Sequence, residues 1–197
     1  MWMFADWLAD FHPKPDIKLN QFEIEAVRLF TSDLNLDTHT MYVGRLRDLF
    51  KNGSDNIICV HNNDMILLDT AELEEVLNCV LNALAFYTGW DNTMMNLLTS
   101  GAMLQNLMDA SAEVLKNPVF ILDSGQRHLA HNQNYGVGEV DELWDYLLEG
   151  GSCDMDFLIS FNKFDPDRLG RKGIYTYEEP VFPNKAWQYN FLLDGNF

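Results

Sequence analysis

The sequence predicts a mixed α+β protein built of three parts. Short runs of apolar or alternating residues, each bounded by turn residues, are typical of strands in the first third of the chain. Apolar residues then recur at helical spacing between residues 70 and 116, and strand signals return after Pro118. We therefore predict a small N-terminal α/β lobe at 1–69, a helical connector at 70–116, and a C-terminal lobe with an antiparallel sheet at 117–197.

A short amphipathic helix opens the first lobe and ends before Pro13 and Pro15, since proline stops a helix. Its large apolar face must pack on something. The chain's own core is one partner, and a second copy of the chain is the other. The candidate dimer-interface residues are Trp2, Phe4, Trp7 and Phe11.

The strands of the first lobe are predicted at 22–29, 40–43, 57–60 and 65–68, with a short helix at 45–50. Residues 22–29 alternate between apolar and polar side chains, as in a half-buried strand. Residues 57–60 are continuously apolar, which favours burial on both faces of the strand.

The connector begins with a side-chain cap at Thr70, followed by early acidic residues that favour a helix N-terminus. Gly89 and Asp91 are predicted to interrupt or bend its first helix, and a second helix is predicted at 103–115. Such connectors pack either within one chain or against a second copy, and we predict a homodimer.

In the C-terminal lobe, apolar residues run from Asn117 into an Asp-Ser-Gly turn at 123–125 and on to a second strand ending at His131. A helix is predicted at 139–148, ended by Gly150 and Gly151, with late strands at 173–177 and 187–193. A turn at 194–197 leads us to expect a fragment of a longer protein.

Composition limits the possible functions. The formal net charge of −17 repels phosphate backbones, so no direct nucleic-acid contact is expected. Cys59, Cys79 and Cys153 lie far apart in apolar runs, which is typical of a reduced cytoplasmic protein. No apolar stretch approaches the ~20 residues of a membrane helix, so we expect no membrane partner.

No segment predicts an enzyme. Gly136 and Gly138 lack the third glycine and the Lys-Ser/Thr pair of a phosphate loop. His128 and His131 are three apart on a predicted strand, so they are expected on opposite faces and not on one metal. We predict no metal and no cofactor. A small acidic enzyme using Asp154, Asp156 or His131 stays as an alternative.

An apolar pocket in the C-terminal lobe is the remaining candidate site, and ordinary core packing is its alternative. Regular alternation would place side chains of both strands on one inner face, covered by the following helix and the late strands. Arg127 and Arg168 are the scarce positive charges that could select an anion there. The candidate ligand-binding residues are Phe120, Leu122, Arg127, Leu129, His131, Trp144, Tyr175 and Tyr189.

Five segments in this order resemble the N-terminal regions of bacterial transcription regulators of the PucR and sugar-diacid-regulator (CdaR) type. They are 42–49, 57–60, 65–68, 117–124 and 129–131, and the resemblance covers roughly residues 22–197. It implies a PAS- or GAF-like sensor module at 117–197 and a C-terminal helix-turn-helix. No basic recognition helix follows residue 150, so DNA binding would reside in a part not included here.

These observations together predict the sensory region of a transcription regulator. It would bind an unknown small-molecule effector or a partner and relay that event to a DNA-binding domain absent from this chain. The alternative from another class is a protein-interaction or dimerisation module without a ligand, with the N-terminal helix as the contact surface.

Overall fold

The computed structural model confirms the mixed α+β class. It describes residues 1–18, 23–31, 36–151, 155–156, 159, 163, 165, 167, 170–171, 173–177 and 186–191. The chain divides into two compact units, Met1–Asn92 and Thr93–Phe197, and each is described by itself.

Unit 1 (Met1–Asn92) contains a five-stranded sheet. Its strands are β1 (Lys14–Asp16), β2 (Ala26–Leu29), β3 (Thr40–Arg45), β4 (Ile57–His61) and β5 (Asp64–Leu67). They lie in the order β1-β5-β4-β3-β2, with β2 and β3 parallel and the other pairs antiparallel. The continuously apolar β4 lies at the centre of the sheet, where both faces and both edges are covered, as its sequence predicts.

Three helices accompany this sheet: α1 (Trp2–Trp7), which continues into a 3₁₀ turn at Ala9–Phe11, the short α2 (Leu46–Leu49), and α3 (Leu73–Thr99), which starts in this unit. Side chains from α1, α3 and the three central strands form one core. Its buried members are Phe4, Ala5, Leu8, Met41, Val43, Ile57, Cys59, Ile66, Leu68, Val76, Val80 and Ala83.

The N-terminal helix packs on its own chain, which corrects part of the proposed dimer interface. Phe4 is 6% exposed, with its ring centroid 6.1 Å from that of Tyr87, and Phe11 packs against the same core. Both apolar surfaces are already covered within the protomer. Trp7 contacts Phe86 at 5.5 Å yet stays 38% exposed, so it remains a candidate. The side chain of Trp2 lies outside the described residues.

Helix α3 is continuous from Leu73 to Thr99, so the predicted interruption at Gly89 and Asp91 is wrong. Gly89 is exposed and its neighbours on the helix keep the backbone regular. Thr70 does accept a hydrogen bond at Oγ1, from the Glu72 N–H at 3.1 Å. The helix ends before Gly101, whose φ of +73° is the left-handed conformation that glycine adopts freely.

Unit 2 (Thr93–Phe197) contains the end of α3, two strand pairs and two further helices. In chain order these are α4 (Leu104–Ala110), β6 (Phe120–Leu122), β7 (His128–His131), α5 (Glu142–Gly150), β8 (Ile174–Tyr177) and β9 (Ala186–Tyr189). Strands β6 and β7 pair antiparallel, as do β8 and β9. Gly151 has φ +69° and ends α5, as predicted from the sequence.

In the described part of the chain, no helix combines the length and the apolar character that crossing a bilayer requires.

Candidate functional site

Five ring side chains of unit 2 gather between β6, β7 and α5, and we refer to them as the Trp144 cluster. The Trp144 ring centroid lies 5.7 Å from that of Phe120, 5.9 Å from that of His131 and 6.4 Å from that of Tyr135. His128 joins through His131, at 4.9 Å between ring centroids. Trp144 is 2% exposed and the other four are half-buried, so solvent reaches the other four side chains but hardly reaches the central indole.

A β-bulge brings the two histidines of β7 to one face. Leu122 pairs with His128 and Ile121 pairs with Ala130, so Leu129 is the extra residue of the strand. The strict alternation of faces fails at that residue. His131 Nδ1 and His128 Nε2 are consequently 3.1 Å apart, and the expectation that the rings lie on opposite faces is wrong.

The contact between the histidines is a hydrogen bond between ring nitrogens. One ring donates and the other accepts, so at least one of the two is neutral. Burial, and next the nearby ring of His131, hold the pKa of His128 below its usual range. The pair is therefore reluctant to carry two positive charges.

The first turn of α5 positions Trp144. Asp141 caps the helix by accepting a hydrogen bond at Oδ1 from the Trp144 backbone N–H, at 2.9 Å. The indole then packs among the rings of the cluster. Its Nε1–H is buried and has no hydrogen-bond acceptor in the part of the chain that the structure describes. An unpaired buried donor of this kind costs about 1–3 kcal/mol.

Helix α4 is hydrogen-bonded to β7 along the edge opposite β6. The Gln105 side chain donates at Nε2 to the His131 carbonyl, at 2.7 Å, and accepts at Oε1 from the His131 N–H, at 3.2 Å. Asp109 also accepts from Gln105 Nε2, at 2.7 Å. A ring of the Trp144 cluster and a helix of the connector are thus joined through one residue of β7.

Polar residues after β7 bind the segment between α4 and β6. Asn132 is fully buried and donates at Nδ2 to the carbonyls of Leu115 and Asn117, at 2.6 and 2.7 Å. Tyr135 donates from its hydroxyl to the Lys116 carbonyl at 2.7 Å. The sequence predicts a loop here, and only the density of Asn and Gln from 132 to 134 indicates that its side chains bind backbone groups.

The structure brings some predicted ligand-binding residues together and separates others. Phe120, His131 and Trp144 lie in one cluster, and Leu122 is half-buried opposite His128. Leu129, by contrast, is 49% exposed, because the bulge turns it away from the inner face.

The guanidinium and the backbone N–H of Arg127 are both bound by Asp123. Asp123 accepts from its backbone N–H at 2.9 Å and from its guanidinium at 2.7 and 2.6 Å, in the turn before β7. These hydrogen bonds, with the backbone bond first and the side-chain bond next, hold the pKa of Asp123 below its usual range. Arg127 is therefore a turn residue, which corrects its proposed role as the anion-selecting charge of the pocket. Arg168 lies outside the described residues.

Tyr175 and Tyr189 lie on opposite faces of the β8–β9 pair and cannot close one pocket together. Tyr175 pairs across the strands with Gln188, whereas Tyr189 pairs with Ile174. On the inner face the Tyr175 hydroxyl donates to Asn190 Oδ1 at 3.0 Å, and on the outer face Tyr189 is 53% exposed. Neighbouring residues of paired strands share a face, and these two belong to different cross-strand pairs.

A buried polar network holds the inner face of β8. Asp165 accepts from the Tyr177 hydroxyl at 2.9 Å and from the Arg171 guanidinium at 2.8 Å. Burial, and then the hydrogen bond to Asp165, raise the pKa of the Tyr177 hydroxyl far above its usual range. The Asp165 carboxylate is hydrogen-bonded to both Tyr177 and Arg171, which is typical of a structural role.

The glycine loop before α5 is unsuited to phosphate. The Gly136 N–H donates to Glu139 Oε2 at 2.6 Å, and the Gly138 N–H donates to Asp145 Oδ1 at 2.7 Å. Carboxylates of the chain thus take the amides that a phosphate would need, and their charge repels it. Across the described residues, no group of three or more His, Cys, Asp or Glu side chains could hold a metal ion.

Comparison with known proteins adds no relative. No protein-family model matches the chain, and neither the curated proteins nor the solved structures contain a match.

Proposed function

We propose that this chain is the sensory region of a transcription regulator and that its effector binds at the Trp144 cluster. The observation that carries the proposal is the buried indole N–H of Trp144, which has no acceptor among the described residues. Natural cores leave few donors unpaired, and those that persist often serve a ligand or a functional state. A small molecule with an acceptor atom would complete this hydrogen bond among aromatic walls, the usual composition of a ligand site.

The relay in this proposal runs through Gln105. An effector that contacts His131 acts on a residue whose N–H and carbonyl are both bound by α4. Helix α4 follows α3 directly in the chain, and α3 spans both units. The effector changes the packing of the connector only insofar as it binds one arrangement of α4 more tightly than another. A DNA-binding domain outside this sequence would respond to that shift.

A compound screen observed by NMR tests the proposal. The five tryptophans give separate indole N–H signals, and Trp144→Phe assigns the relevant one. Compounds that bind the cluster are expected to move the Trp144 signal and to change amide exchange in α4. Gln105→Leu keeps the binding and removes the change in α4. Gln133→Leu, an exposed glutamine close by, is the matched control and keeps both.

Two results would contradict the proposal. A diverse library in which no compound moves the Trp144 signal would leave the cluster as ordinary core. A change in α4 that survives in Gln105→Leu would remove the relay.

One observation favours the alternative of an interaction module without a ligand. The outer face of β8 and β9 exposes large apolar side chains on neighbouring positions, and Trp187 is 70% exposed. The screen separates the two functions, since an interaction module leaves the Trp144 signal unmoved by small molecules. For the enzyme alternative, Asp154 lies outside the described residues, Asp156 is exposed, and the ring partner of His131 is another histidine.

A further inference from the structure

The hydrogen bond between His128 and His131 determines what the pair can offer a ligand. It uses His131 Nδ1 and His128 Nε2, which leaves His131 Nε2 and His128 Nδ1 for other contacts. In the neutral pair one of these remaining nitrogens carries a proton and the other carries a lone pair. Adding one proton from solution to that lone pair makes both of them donors, while the bond between the rings is kept.

The singly protonated pair matches a carboxylate. Two imidazole N–H groups and the indole N–H of Trp144 would then be three donors in one cluster. A carboxylate has two oxygens with about four acceptor positions, and hydrogen bonds between charged groups are roughly twice as strong as neutral ones. A ligand that is itself a donor would leave the indole N–H unpaired.

Charged groups around the cluster are already bound to other partners. On the turn before β7, Arg127 is bound by Asp123. On α4, Asp109 accepts from Gln105, and on α5, Asp141 and Asp145 accept backbone N–H groups. Each of these carboxylates has a partner of its own, whereas His131 of the pair contacts the Trp144 ring directly, at 5.9 Å between ring centroids. Burial, and next the nearby ring of His131, hold the pKa of His128 below its usual range and so favour its neutral form.

Ring contacts describe the rest of the ligand. Phe120 and Tyr135 flank Trp144 at 5.7 and 6.4 Å between ring centroids and are half-buried. A flat apolar body packs on such faces, whereas a hydroxyl-rich chain loses its hydration there without gaining partners.

We propose that the Trp144 cluster binds a small planar organic acid, and that the His128–His131 pair takes up one proton as the carboxylate binds. This inference rests on the proposed function and names its ligand class. The proton comes from the buffer and goes to the free ring nitrogen of the pair, so the bound complex holds one imidazolium beside one carboxylate. Local pairing of this kind opposes the long-range repulsion of a chain with net charge −17, which salt screens within about 10 Å.

Four probe molecules separate the features of the ligand. Benzoate has the carboxylate and the flat ring, benzamide is its neutral isostere, acetate lacks the ring, and D-glucarate is a sugar diacid. Titration of each into the full chain, followed at the Trp144 indole signal, is expected to give the tightest binding for benzoate and at least about tenfold weaker binding for benzamide. Benzoate affinity should fall as pH rises, by up to about tenfold per unit between about pH 6 and pH 8, where benzoate stays ionised.

Variants test the histidine pair itself. His128→Asn is expected to abolish the pH dependence and to weaken benzoate, while His12→Asn, a matched change in unit 1, leaves both unchanged. Benzoate binding that is independent of pH, or as tight for benzamide, would overturn the carboxylate and the proton uptake. Tighter binding of acetate or glucarate than of benzoate would overturn the planar body. If neutral compounds move the Trp144 signal and no acid does, this inference is wrong but the sensory proposal stands. If no compound of any class moves the signal, both proposals are wrong.

Discussion

The side chain of Asn132, directly after β7, binds three backbone groups of the segment that precedes β6. Its amide accepts from the Val119 N–H at 3.0 Å and donates to two carbonyls of the segment that follows α4. All these groups belong to a backbone segment that has no strand or helix partner at that point. The side chain takes the place of secondary structure there.

Asn132→Ala is expected to lower the free energy of unfolding by about 2–4 kcal/mol, because it leaves one N–H and two carbonyls without this partner. Urea denaturation measures the change. Asn134→Ala is the control: Asn134 also donates to the Leu115 carbonyl, but it is exposed, so water replaces it and the loss is about 1 kcal/mol or less. Equal losses for the two variants would contradict this account of Asn132.

His61 gives unit 1 a dependence on pH. It is 1% exposed, and its Nε2 lies 2.8 Å from the Thr38 carbonyl, which fits a neutral ring that donates. Burial is the main reason that the pKa of His61 lies below its usual value of 6.5. The unfolded chain therefore binds a proton at higher pH than the folded one. This contribution to stability is complete above pH 6.5 and is lost as pH falls from there through the folded pKa.

Chemical denaturation of the protein should accordingly show a midpoint that falls on acidification below about pH 6.5. His61→Gln keeps a donor for Thr38 but does not titrate, so its midpoint should vary less over the same range. His12→Asn should follow the parent protein. A slope that persists unchanged in His61→Gln would mean that other groups cause it, with the half-buried His128 as the next to test.

Sequence reasoning found part of the Trp144 cluster for a physical reason. Phe120, His131 and Trp144 are large ring side chains at inner positions of a strand and a helix, and apolar periodicity predicts such positions well. It failed at Leu129, because a bulge inserts a residue that no local pattern announces. It failed again for Tyr175 and Tyr189, since their relative face depends on the register of two strands, which the pairing decides.

At the scale of elements, α3 shows how local signals yield to a longer pattern. Gly89 and Asp91 weaken a helix locally, yet apolar residues on either side keep one face continuous through Leu73–Thr99. Runs of apolar residues likewise located β3, β4 and β5 to within two residues. The first predicted strand is shorter than expected: β2 begins at Ala26, and Phe22 lies outside the described residues. The predicted alternation of burial holds from Glu23 to Ala26 and fails within β2, where Ala26 and Val27 are both half-buried and Arg28 and Leu29 are both exposed.

Gly89→Ala is expected to raise the free energy of unfolding by about 0.5–1 kcal/mol. The position is helical and exposed, and a Cβ placed there meets no atom within 4 Å. Gly101→Ala is the opposite case in equally open space. Its φ of +73° strains any side chain, so the variant should lose stability. Thermal denaturation of both variants measures the two changes in stability. A gain in stability for Gly101→Ala, or a loss for Gly89→Ala, would contradict the prediction.

For the whole molecule, the connector leaves apolar side chains in water. Met95 is 53% and Leu98 56% exposed near the end of α3. Leu81, in the first half of the same helix, is 41% exposed. Together with Trp7 they are the described residues that still favour a homodimer. Sedimentation at micromolar concentration is expected to show a dimer that Leu98→Glu dissociates. Leu36→Glu, an equally exposed leucine of unit 1, should leave it intact, and a monomer at every concentration would contradict the prediction.

Charge also acts at this scale. A net charge of −17 repels the phosphate backbone, whose neutralisation by positive side chains supplies even non-specific DNA affinity. A gel-shift experiment with random duplex at low salt is therefore expected to show no complex. A clear shift that weakens as salt is added would contradict the prediction and reveal a local basic surface.

The side chain of Gln105 also acts as a short piece of strand. It pairs with the N–H and the carbonyl of His131, the two groups that the free side of β7 would otherwise offer to an incoming chain, while the Gly151 carbonyl accepts from the His128 N–H along the same strand at 2.8 Å. Open strand edges are templates for edge-to-edge aggregation. The Gln105 amide of α4 covers part of this edge, so the residue that bonds α4 to the histidine pair also hinders the addition of a foreign strand to β7.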